Sequence, residues 1–152
     1  MRAIQKINSY LKIGLFIALI VPNIAVASDI IIPSKITKGE VAGKIFQRPS
    51  MIRLPQGDGE TLDVQNMLSS DKKFETGMYQ AGASRFEIKD HYGVDEFMYF
   101  LKGSVTLTSM DGSVQIINAG EAVTIPKEWT GIWQTEGYTK FYVIYHSEKS
   151  SQ

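Results

Sequence analysis

The most constraining feature of this sequence is a series of short, strand-length segments that fills its second half. Each segment is rich in β-branched and aromatic residues, which favour an extended backbone. No stretch among them shows a long helical period. The series therefore predicts an all-β domain, with segments over residues 74–145 that read FETGMYQAG, SRFEIKD, EFMYFLKG, SVTLTSM, SVQIIN, AVTIP, TGIWQT and YTKFYVIY.

Turn signals separate these segments. Asp111-Gly112 lies between SVTLTSM and SVQIIN and is typical of a type I′ hairpin turn, which needs positive φ at both central residues. Gly103, Gly120 and Gly137 predict other turns. Many short antiparallel strands must hide their edges, so we expect a small closed barrel or a double-sheet jelly roll. An immunoglobulin-like sandwich is the competing architecture.

The rest of the chain divides into three further regions. Residues 28–73 hold short apolar pieces separated by prolines, a pattern that predicts short strands and loops packing on the barrel. The barrel itself is expected over residues 74–146. Residues 147–152 form a polar tail.

Residues 1–27 predict a signal peptide. An unbroken apolar run at 13–21 follows a basic start, and Ala25 and Ala27 supply the small side chains of a cleavage site. Nine apolar residues form about 14 Å of helix, well short of the roughly 30 Å hydrocarbon core. We expect cleavage between Ala27 and Ser28, a secreted or periplasmic domain and no stable membrane insertion. An uncleaved membrane anchor is the alternative. The basic start that precedes the apolar run consists of Arg2, Lys6 and Lys12.

Composition limits the chemistry of the domain. The chain has no cysteine, which excludes disulfides, thiolate metal sites and a cysteine nucleophile, and its only imidazoles are His91 and His146. Without residues 1–27 the domain has 13 Lys+Arg against 16 Asp+Glu, a net charge of −3. This balance gives no electrostatic reason to bind nucleic acid. A small molecule or another protein is the expected partner.

Two motif spacings lie within the strand series. Glu96 is followed by six residues and Gly103, and Gly120 is followed by five residues and Pro126. These spacings resemble the two motifs of the cupins. Residues 74–145 look more narrowly like the cupin domain of (S)-ureidoglycine aminohydrolase and its ethanolamine-utilisation relatives. The resemblance implies a single RmlC-like jelly-roll barrel.

The resemblance also implies a metal site whose usual ligands are mostly missing here. Cupin enzymes usually hold a divalent metal with two histidines and a glutamate from the first motif and one histidine from the second. The last of these positions falls on Gly131, which has no ligand atom. We therefore expect no cofactor. The alternative is manganese or another divalent metal held by Asp90, His91 and Glu96.

Strand alternation places Glu96 on the same face as Met98 and Phe100. The resemblance implies that this face lines the interior of the barrel. A buried carboxylate is costly unless it is paired or protonated. Glu96 is therefore a candidate to accept hydrogen bonds from a ligand. The alternative is that Arg85 or a tyrosine hydroxyl satisfies it permanently.

A second face carries Trp129, Gly131, Trp133 and Thr135. The glycine predicts a gap in which Trp133 stacks on a planar or sugar-like ligand; the alternative is that the rings fill the core. The candidate ligand-binding residues are Glu96, Arg85, Trp133, Tyr99 and Met98, with Tyr79 and Tyr142 as further stacking residues. Those assigned to packing are Phe86, Phe97, Phe141 and Ile144.

These residues predict an exported cupin-domain protein that binds a small polar or carbohydrate-like ligand in its barrel. The missing histidines favour binding over metal catalysis. Two alternatives remain open. One is a metal-dependent hydrolase or isomerase resembling ureidoglycine aminohydrolase, and the other is a protein-interaction module whose partner contacts residues 28–73. Because cupins commonly pair through edge strands, we also expect a homodimer.

Overall fold

A computed structural model describes residues 30–56 and 59–147. The predicted signal peptide lies outside the described residues, as does most of the predicted tail. The chain divides into residues 1–32, of which 30–32 are described and carry neither helix nor strand, and residues 33–152, which hold all the elements below. Within the described residues, no helix has both the length and the hydropathy that a membrane crossing requires.

Two short helices precede the strands, where the sequence predicted strands and loops. Helix α1 spans Lys38–Val41, and a 3-10 helix spans Lys44–Gln47. Helix α1 begins with a capping box in which Thr37 Oγ1 accepts the backbone N–H of Glu40, and Glu40 Oε2 accepts the backbone N–H of Thr37 at 2.8 Å. That backbone N–H, together with Arg48, lowers the pKa of Glu40 to about 2. The capping box explains why a helix forms without a helical period.

The Thr37 cap gives a first prediction. Because Thr37 is exposed, Thr37→Ala should remove little besides the cap and lower the free energy of unfolding by about 1 kcal/mol. Urea denaturation measures this change. Thr37→Ser keeps an acceptor hydroxyl and should stay close to the wild type. A serine variant as unstable as the alanine variant would contradict the assigned cap.

Eight strands make up the rest of the domain, and every pairing between them is antiparallel, which confirms the all-β prediction. The strand order is β1-β2-β3-β8-β5-β6, with β4 added beside β8 and β7 beside β5. The strands are β1 Ile52–Gln56, β2 Gly59–Leu68, β3 Phe74–Ala81, β4 Ser84–Ile88, β5 Asp95–Ser109, β6 Val114–Asn118, β7 Ala122–Ile125 and β8 Gly131–Tyr145.

Strands β5 and β8 are long enough to take part in two sections of the sheet. The first half of β5 pairs with β7 and with the second half of β8, which also pairs with β3. The second half of β5 pairs with β6 and with the first half of β8, which also pairs with β4. We call these the first and second sections. Their inner faces form one core, which contains Met98, Phe100, Val105, Leu107, Ile117 and Trp133.

The two sections meet where the backbones of β5 and β8 approach closely at Gly103. Gly103 has φ +68 and pairs with Tyr138, next to Gly137. A Cβ on Gly103 would overlap the carbonyl oxygen of Gly137 and lie 2.9 Å from the Cα of Tyr138. Only glycine fits this close approach. The prediction of turns at Gly103 and Gly137 is therefore wrong, because both glycines lie inside long strands.

The hairpin between β5 and β6 lies where Asp111-Gly112 predicted one, but its turn is not type I′. Gly112 has φ +82, whereas the only non-glycine residue with positive φ in the described ranges is Lys72. The backbone N–H of Gly112 donates to Ser109 at 2.9 Å, and Asp111 Oδ1 accepts the N–H of Ser113 at 2.9 Å. An aspartate that caps its own turn in this way needs no positive φ.

The segment before β1 covers the outer face of β2 and β3. Ile45 from the 3-10 helix packs with Val64 of β2 and Met78 of β3, and all three are fully buried. Side chains alternate along a strand, so this packing directs the neighbouring Asp63 and Tyr79 toward the opposite, inner face. The covering segment thereby fixes which side chains of β2 and β3 reach the interior.

Candidate functional site

A cavity of about 250 Å³ lies inside the domain. Its walls come from both sections of the sheet and from the loop before β5. Its lining residues are Gln56, Asp63, Glu75, Tyr79, Phe86, Tyr92, Glu96, Trp133, Tyr138, Lys140, Tyr142 and Ile144.

A buried ion pair forms part of the cavity wall. Lys140 Nζ lies 2.6 Å from Glu96 Oε1, and the two side chains are only 6% and 5% exposed. The second carboxylate oxygen of Glu96 accepts a hydrogen bond from the hydroxyl of Tyr92. Both oxygens of Glu96 are thus engaged by donors, which meets the requirement for burying a carboxylate.

Aromatic rings surround the ammonium group of Lys140. Its Nζ lies 5.4 Å from the ring centroid of Tyr79, 5.5 Å from that of Trp133 and 5.8 Å from that of Tyr138. Ring faces attract a cation at these distances. Burial nevertheless lowers the pKa of Lys140, and Glu96 opposes this shift. The amine is therefore held charged by one carboxylate in surroundings that disfavour the charge.

Tyr92 reaches the site from the loop between β4 and β5. The backbone N–H of Tyr92 donates to the carbonyl of Trp129, and that of Gly93 donates to the carbonyl of Lys127, both at 2.9 Å. These bonds fix the loop on the segment before β8. Burial raises the pKa of Tyr92, and the adjacent Glu96 raises it further. Tyr92 therefore remains a neutral hydrogen-bond donor at physiological pH.

Trp133 forms one wall of the cavity and is 2% exposed. Its ring lies nearly parallel to those of Phe86 and Tyr92, with centroids 6.0 and 6.2 Å away. These contacts agree with the alternative that the ring packs in the core. The indole Nε1–H, however, has no hydrogen-bond partner among the described residues although it is buried. A buried donor without a partner is costly.

Two more carboxylates lie on the cavity wall, from β2 and β3. Asp63 Oδ1 accepts the hydroxyl of Tyr142 at 3.0 Å, and Glu75 Oε2 accepts Gln65 Nε2 at 2.8 Å. Burial raises the pKa of Asp63 despite the bond from Tyr142. The lining thus offers acceptors in this region and donors near Lys140, so the cavity can bind both kinds of polar group.

Lys140 faces the cavity because of an irregularity in β8. Ser104 pairs with Gly137 but Thr106 pairs with Gln134, so two residues of β8 oppose one residue of β5. This bulge changes which residues point inward. Before it the buried residues are Gly131, Trp133 and Thr135, and after it they include Tyr138, Lys140 and Tyr142. Strict alternation from Trp133 would have placed Lys140 on the outside.

The structure does not bring all the predicted ligand-binding residues together. Glu96 and Trp133 line the cavity, as do the predicted stacking residues Tyr79 and Tyr142. Met98 is fully buried beside the site, with its sulfur 2.9 Å from Lys140 Nζ. The cavity is also lined by Phe86 and Ile144, which were assigned to packing.

Arg85 and Tyr99 require correction, because neither lines the cavity. Arg85 is exposed on β4, and its expected place beside Glu96 is taken by Lys140. Tyr99 is 38% exposed because it alternates with Met98 on β5 and faces outward. Phe97, assigned to packing, is 44% exposed on that same outer face. For Tyr99 and Phe97 the position follows from the alternation of β5 itself.

The gap expected beside Gly131 is absent. A Cβ on Gly131 would overlap the carbonyl oxygen of Thr108 and lie 2.8 Å from Trp129 Cζ2. Glycine is needed here because β5 and Trp129 fill the space. The ring of Trp129 is held by its Nε1–H, which donates to Ser109 Oγ at 3.1 Å. The cavity instead lies on the other side of Trp133, toward Lys140.

The alternative metal ligands do not form one site. Asp90 and His91 are exposed in the loop before β5, and residues 30–56 and 59–147 contain no group of three or more His, Asp or Glu side chains placed to share an ion. Glu96, the remaining ligand of that set, is bound by Lys140 and Tyr92. An ammonium group at 2.6 Å occupies the position in which a metal ion would contact this carboxylate. Asp90, His91 and Glu96 therefore do not converge on one ion in the described structure.

Sequence reasoning missed several residues of the site. Lys140 and Tyr138 were missed because the bulge in β8 reverses the alternation that predicts which residues face inward. Asp63 was missed because it lies in the region whose strand pattern is weak. Tyr92 belongs to a loop, where no periodicity indicates an inward direction. The one available signal was the pattern in the second half of β8, where Tyr138, Lys140 and Tyr142 occupy every second position and so share one face.

Comparison with known proteins agrees with this architecture. A family model described as the EutQ-like cupin domain matches residues 68–142. The Clostridium difficile EutQ protein is 20% identical over 64% of this chain and 78% of that chain, with a TM-score of 0.51. A protein of unknown function from Rhizobium leguminosarum is 22% identical over 74% and 99%, with a TM-score of 0.52.

A third solved structure, a protein of unknown function from Pseudomonas syringae, has a TM-score of 0.56 at 16% identity, over 62% of this chain and 43% of that chain. No curated protein matches the sequence. At these identities the solved structures show the fold alone. The fold and the family match agree with the cupin motif spacings at Glu96 and Gly120. The chain therefore has a cupin-type fold, and its residues 68–142 are similar to the EutQ-like cupin domain.

Proposed function

We propose that this protein binds a small polar ligand in the cavity between the two sections of its cupin domain. The observation that carries the proposal is the cavity itself, whose wall holds the buried Lys140–Glu96 pair and the carboxylate of Asp63 among aromatic rings. Polar groups that converge in an aromatic pocket are typical of ligand sites.

The size and chemistry of the cavity limit the ligand. The cavity volume of about 250 Å³ lies slightly below the roughly 300–1,000 Å³ of typical ligand pockets. This volume suits a molecule of the size of a small sugar, a hydroxy acid or a short keto compound. Lys140 offers a donor, and Asp63 offers an acceptor at another part of the wall. The ligand therefore carries at least one acceptor oxygen and one hydroxyl.

A thermal-shift panel of monosaccharides, sugar acids, hydroxy acids and small keto compounds tests the proposal. A ligand present at 100 times its Kd stabilises the folded state by about 2.7 kcal/mol. For a domain of this size we expect Tm to rise by about 10 °C at that concentration. Trp133→Phe keeps an aromatic ring but changes the shape of the cavity wall, so it should weaken the shift, and Glu96→Gln should do the same.

Tyr99→Phe is the matched control, since Tyr99 lies on the outer face of β5. The shift should persist in this variant. A compound whose shift survives both Trp133→Phe and Glu96→Gln binds elsewhere on the molecule. The proposal fails if every shift in the panel is of that kind, or if none occurs.

The proposal includes the cellular setting expected from the sequence. The basic start, apolar run and small residues of positions 1–27 support export and cleavage before Ser28. A binding domain outside the cytoplasm would be in contact with solutes from the surroundings of the cell. The narrower likeness to the cupin domain of ureidoglycine aminohydrolase stays a prediction, and the keto and ureido compounds of an extended panel would test it.

A further inference from the structure

The amine of Lys140 combines three properties that a purely structural lysine does not need. It lines the cavity, it lies 2.6 Å from a carboxylate, and its side chain is only 6% exposed. Lys140 is the only lysine among the residues that line the described cavity. The site has a single nitrogen that can act as a nucleophile once it has lost a proton.

Glu96 is placed to take that proton. A lysine amine attacks a carbonyl carbon only in its neutral form, and its ordinary pKa of about 10.4 leaves little of that form at neutral pH. In the interior, transfer of the proton to a carboxylate replaces a buried ion pair with two neutral groups, which removes the cost of burying two charges. Tyr92 holds the second oxygen of Glu96, so the carboxylate stays directed at Lys140.

We infer that Lys140 forms a reversible imine with the carbonyl group of a small aldehyde or ketone bound in this cavity. The inference rests on the proposed function, because it names the class of ligand that the same site takes. The cavity beside Lys140 holds the carbonyl compound next to the amine, which raises the effective concentration of the two reacting groups.

The reaction balances without any further reactant. Lys140 Nζ first gives a proton to Glu96, and its lone pair then forms a bond to the carbonyl carbon while the π electrons move to the oxygen. A proton passes from nitrogen to that oxygen and gives a carbinolamine. Glu96 returns its proton to the departing hydroxyl, which leaves as water. The product is a protonated imine paired with the Glu96 carboxylate, so the charges of the resting site are restored.

Reductive trapping tests the inference. The purified protein is incubated at neutral pH with glycolaldehyde, dihydroxyacetone or pyruvate in the presence of sodium cyanoborohydride, and peptide mass spectrometry locates the reduced adducts. We expect at least one probe to label Lys140 about tenfold or more faster than Lys102, which is exposed on β5, because the cavity holds the carbonyl next to the amine. Equal or slower labelling of Lys140 for all three probes overturns the inference.

Two variants separate this reaction from general lysine chemistry. Lys140→Arg keeps a cation beside Glu96 and should lose the selective adduct, whereas Lys102→Arg should keep it. Glu96→Gln retains the amine but removes the proton acceptor, and should slow labelling of Lys140. If the arginine variant does not fold, the adduct map of the wild-type protein still decides the question. If compounds raise Tm but none of the three probes labels Lys140 selectively, the inference ends and the proposed function stands. If no compound raises Tm and none labels Lys140, both fail.

Discussion

Replacing Lys140 by methionine should lower the free energy of unfolding by about 3–5 kcal/mol, because Glu96 would stay buried without its cationic partner. Methionine has a similar length, so the loss comes from the unpaired charge and not from an empty volume. The bond from Tyr92 alone does not replace an ammonium group at 2.6 Å. Urea denaturation at neutral pH measures the change.

A double variant and a surface control make this prediction specific. Glu96→Gln combined with Lys140→Met removes both charges and should recover much of the loss of Lys140→Met alone. Lys102→Met removes a charge from an exposed lysine and should change stability by no more than about 0.5 kcal/mol. A Lys140→Met variant as stable as the Lys102→Met variant would show that Lys140 is not in the pair.

The pair also bears on function. A buried ion pair is often matched or exceeded in stability by well-packed apolar residues of similar volume. Glu96 and Lys140 are therefore poor choices if the interior serves folding alone. Their position on a cavity wall, among the rings of Tyr79, Trp133 and Tyr138, suits a group that meets a ligand. Titratable groups with this combination of burial and a specific partner are concentrated at functional sites.

Gly103→Ala should destabilise the fold by about 3–5 kcal/mol, the combined cost of positive φ and of overlap with neighbouring backbone. The new Cβ would overlap the carbonyl oxygen of Gly137 and approach the Cα of Tyr138. Both atoms are backbone, so no side chain can rotate away. The strands β5 and β8 would have to separate where the two sections join, two residues from Lys140. Thermal and urea denaturation would measure the loss.

Gly112→Ala is the matched control for backbone conformation. Gly112 also has positive φ, +82, but a Cβ there would meet nothing within 4 Å. Its replacement should cost about 1–2 kcal/mol, the penalty of left-handed backbone alone. The difference in the free energy of unfolding between the two variants measures the cost of steric overlap at the junction of β5 and β8. Equal losses in both would contradict the close approach at Gly103.

The strand series and the shared face of Glu96, Met98 and Phe100 could be predicted from the sequence because both follow local rules, whereas the inward direction of that face came from the resemblance to cupins. Alternation along β5 holds from Glu96 to Phe100 without interruption, so the buried residues occur at every second position. The same rule, applied with care, also places Tyr99 outside. The turn at Asp111-Gly112 was predictable in position because glycine marks the reversal, whereas its type depends on a side-chain hydrogen bond of Asp111.

Lys140 could not be placed from the sequence because its direction depends on pairing between distant segments. The bulge in β8 is defined by which residues of β5 stand opposite it, and no local signal gives that register. The prediction of a gap beside Gly131 failed for a similar reason. A glycine can mean a gap or a close approach, and only the position of Thr108 on the neighbouring strand decides which.

The proposed site depends on the burial of the Lys140 amine among aromatic rings. Nuclear magnetic resonance of protein labelled at the lysine side chains tests this burial most directly. One lysine, absent from the spectrum of the Lys140→Met variant, should have side-chain resonances moved upfield by the surrounding rings, with nuclear Overhauser contacts to Tyr79 and Trp133. A Lys140 whose signals coincide with those of solvent-exposed lysines and show no contact to either ring would contradict the buried pair and the site built on it.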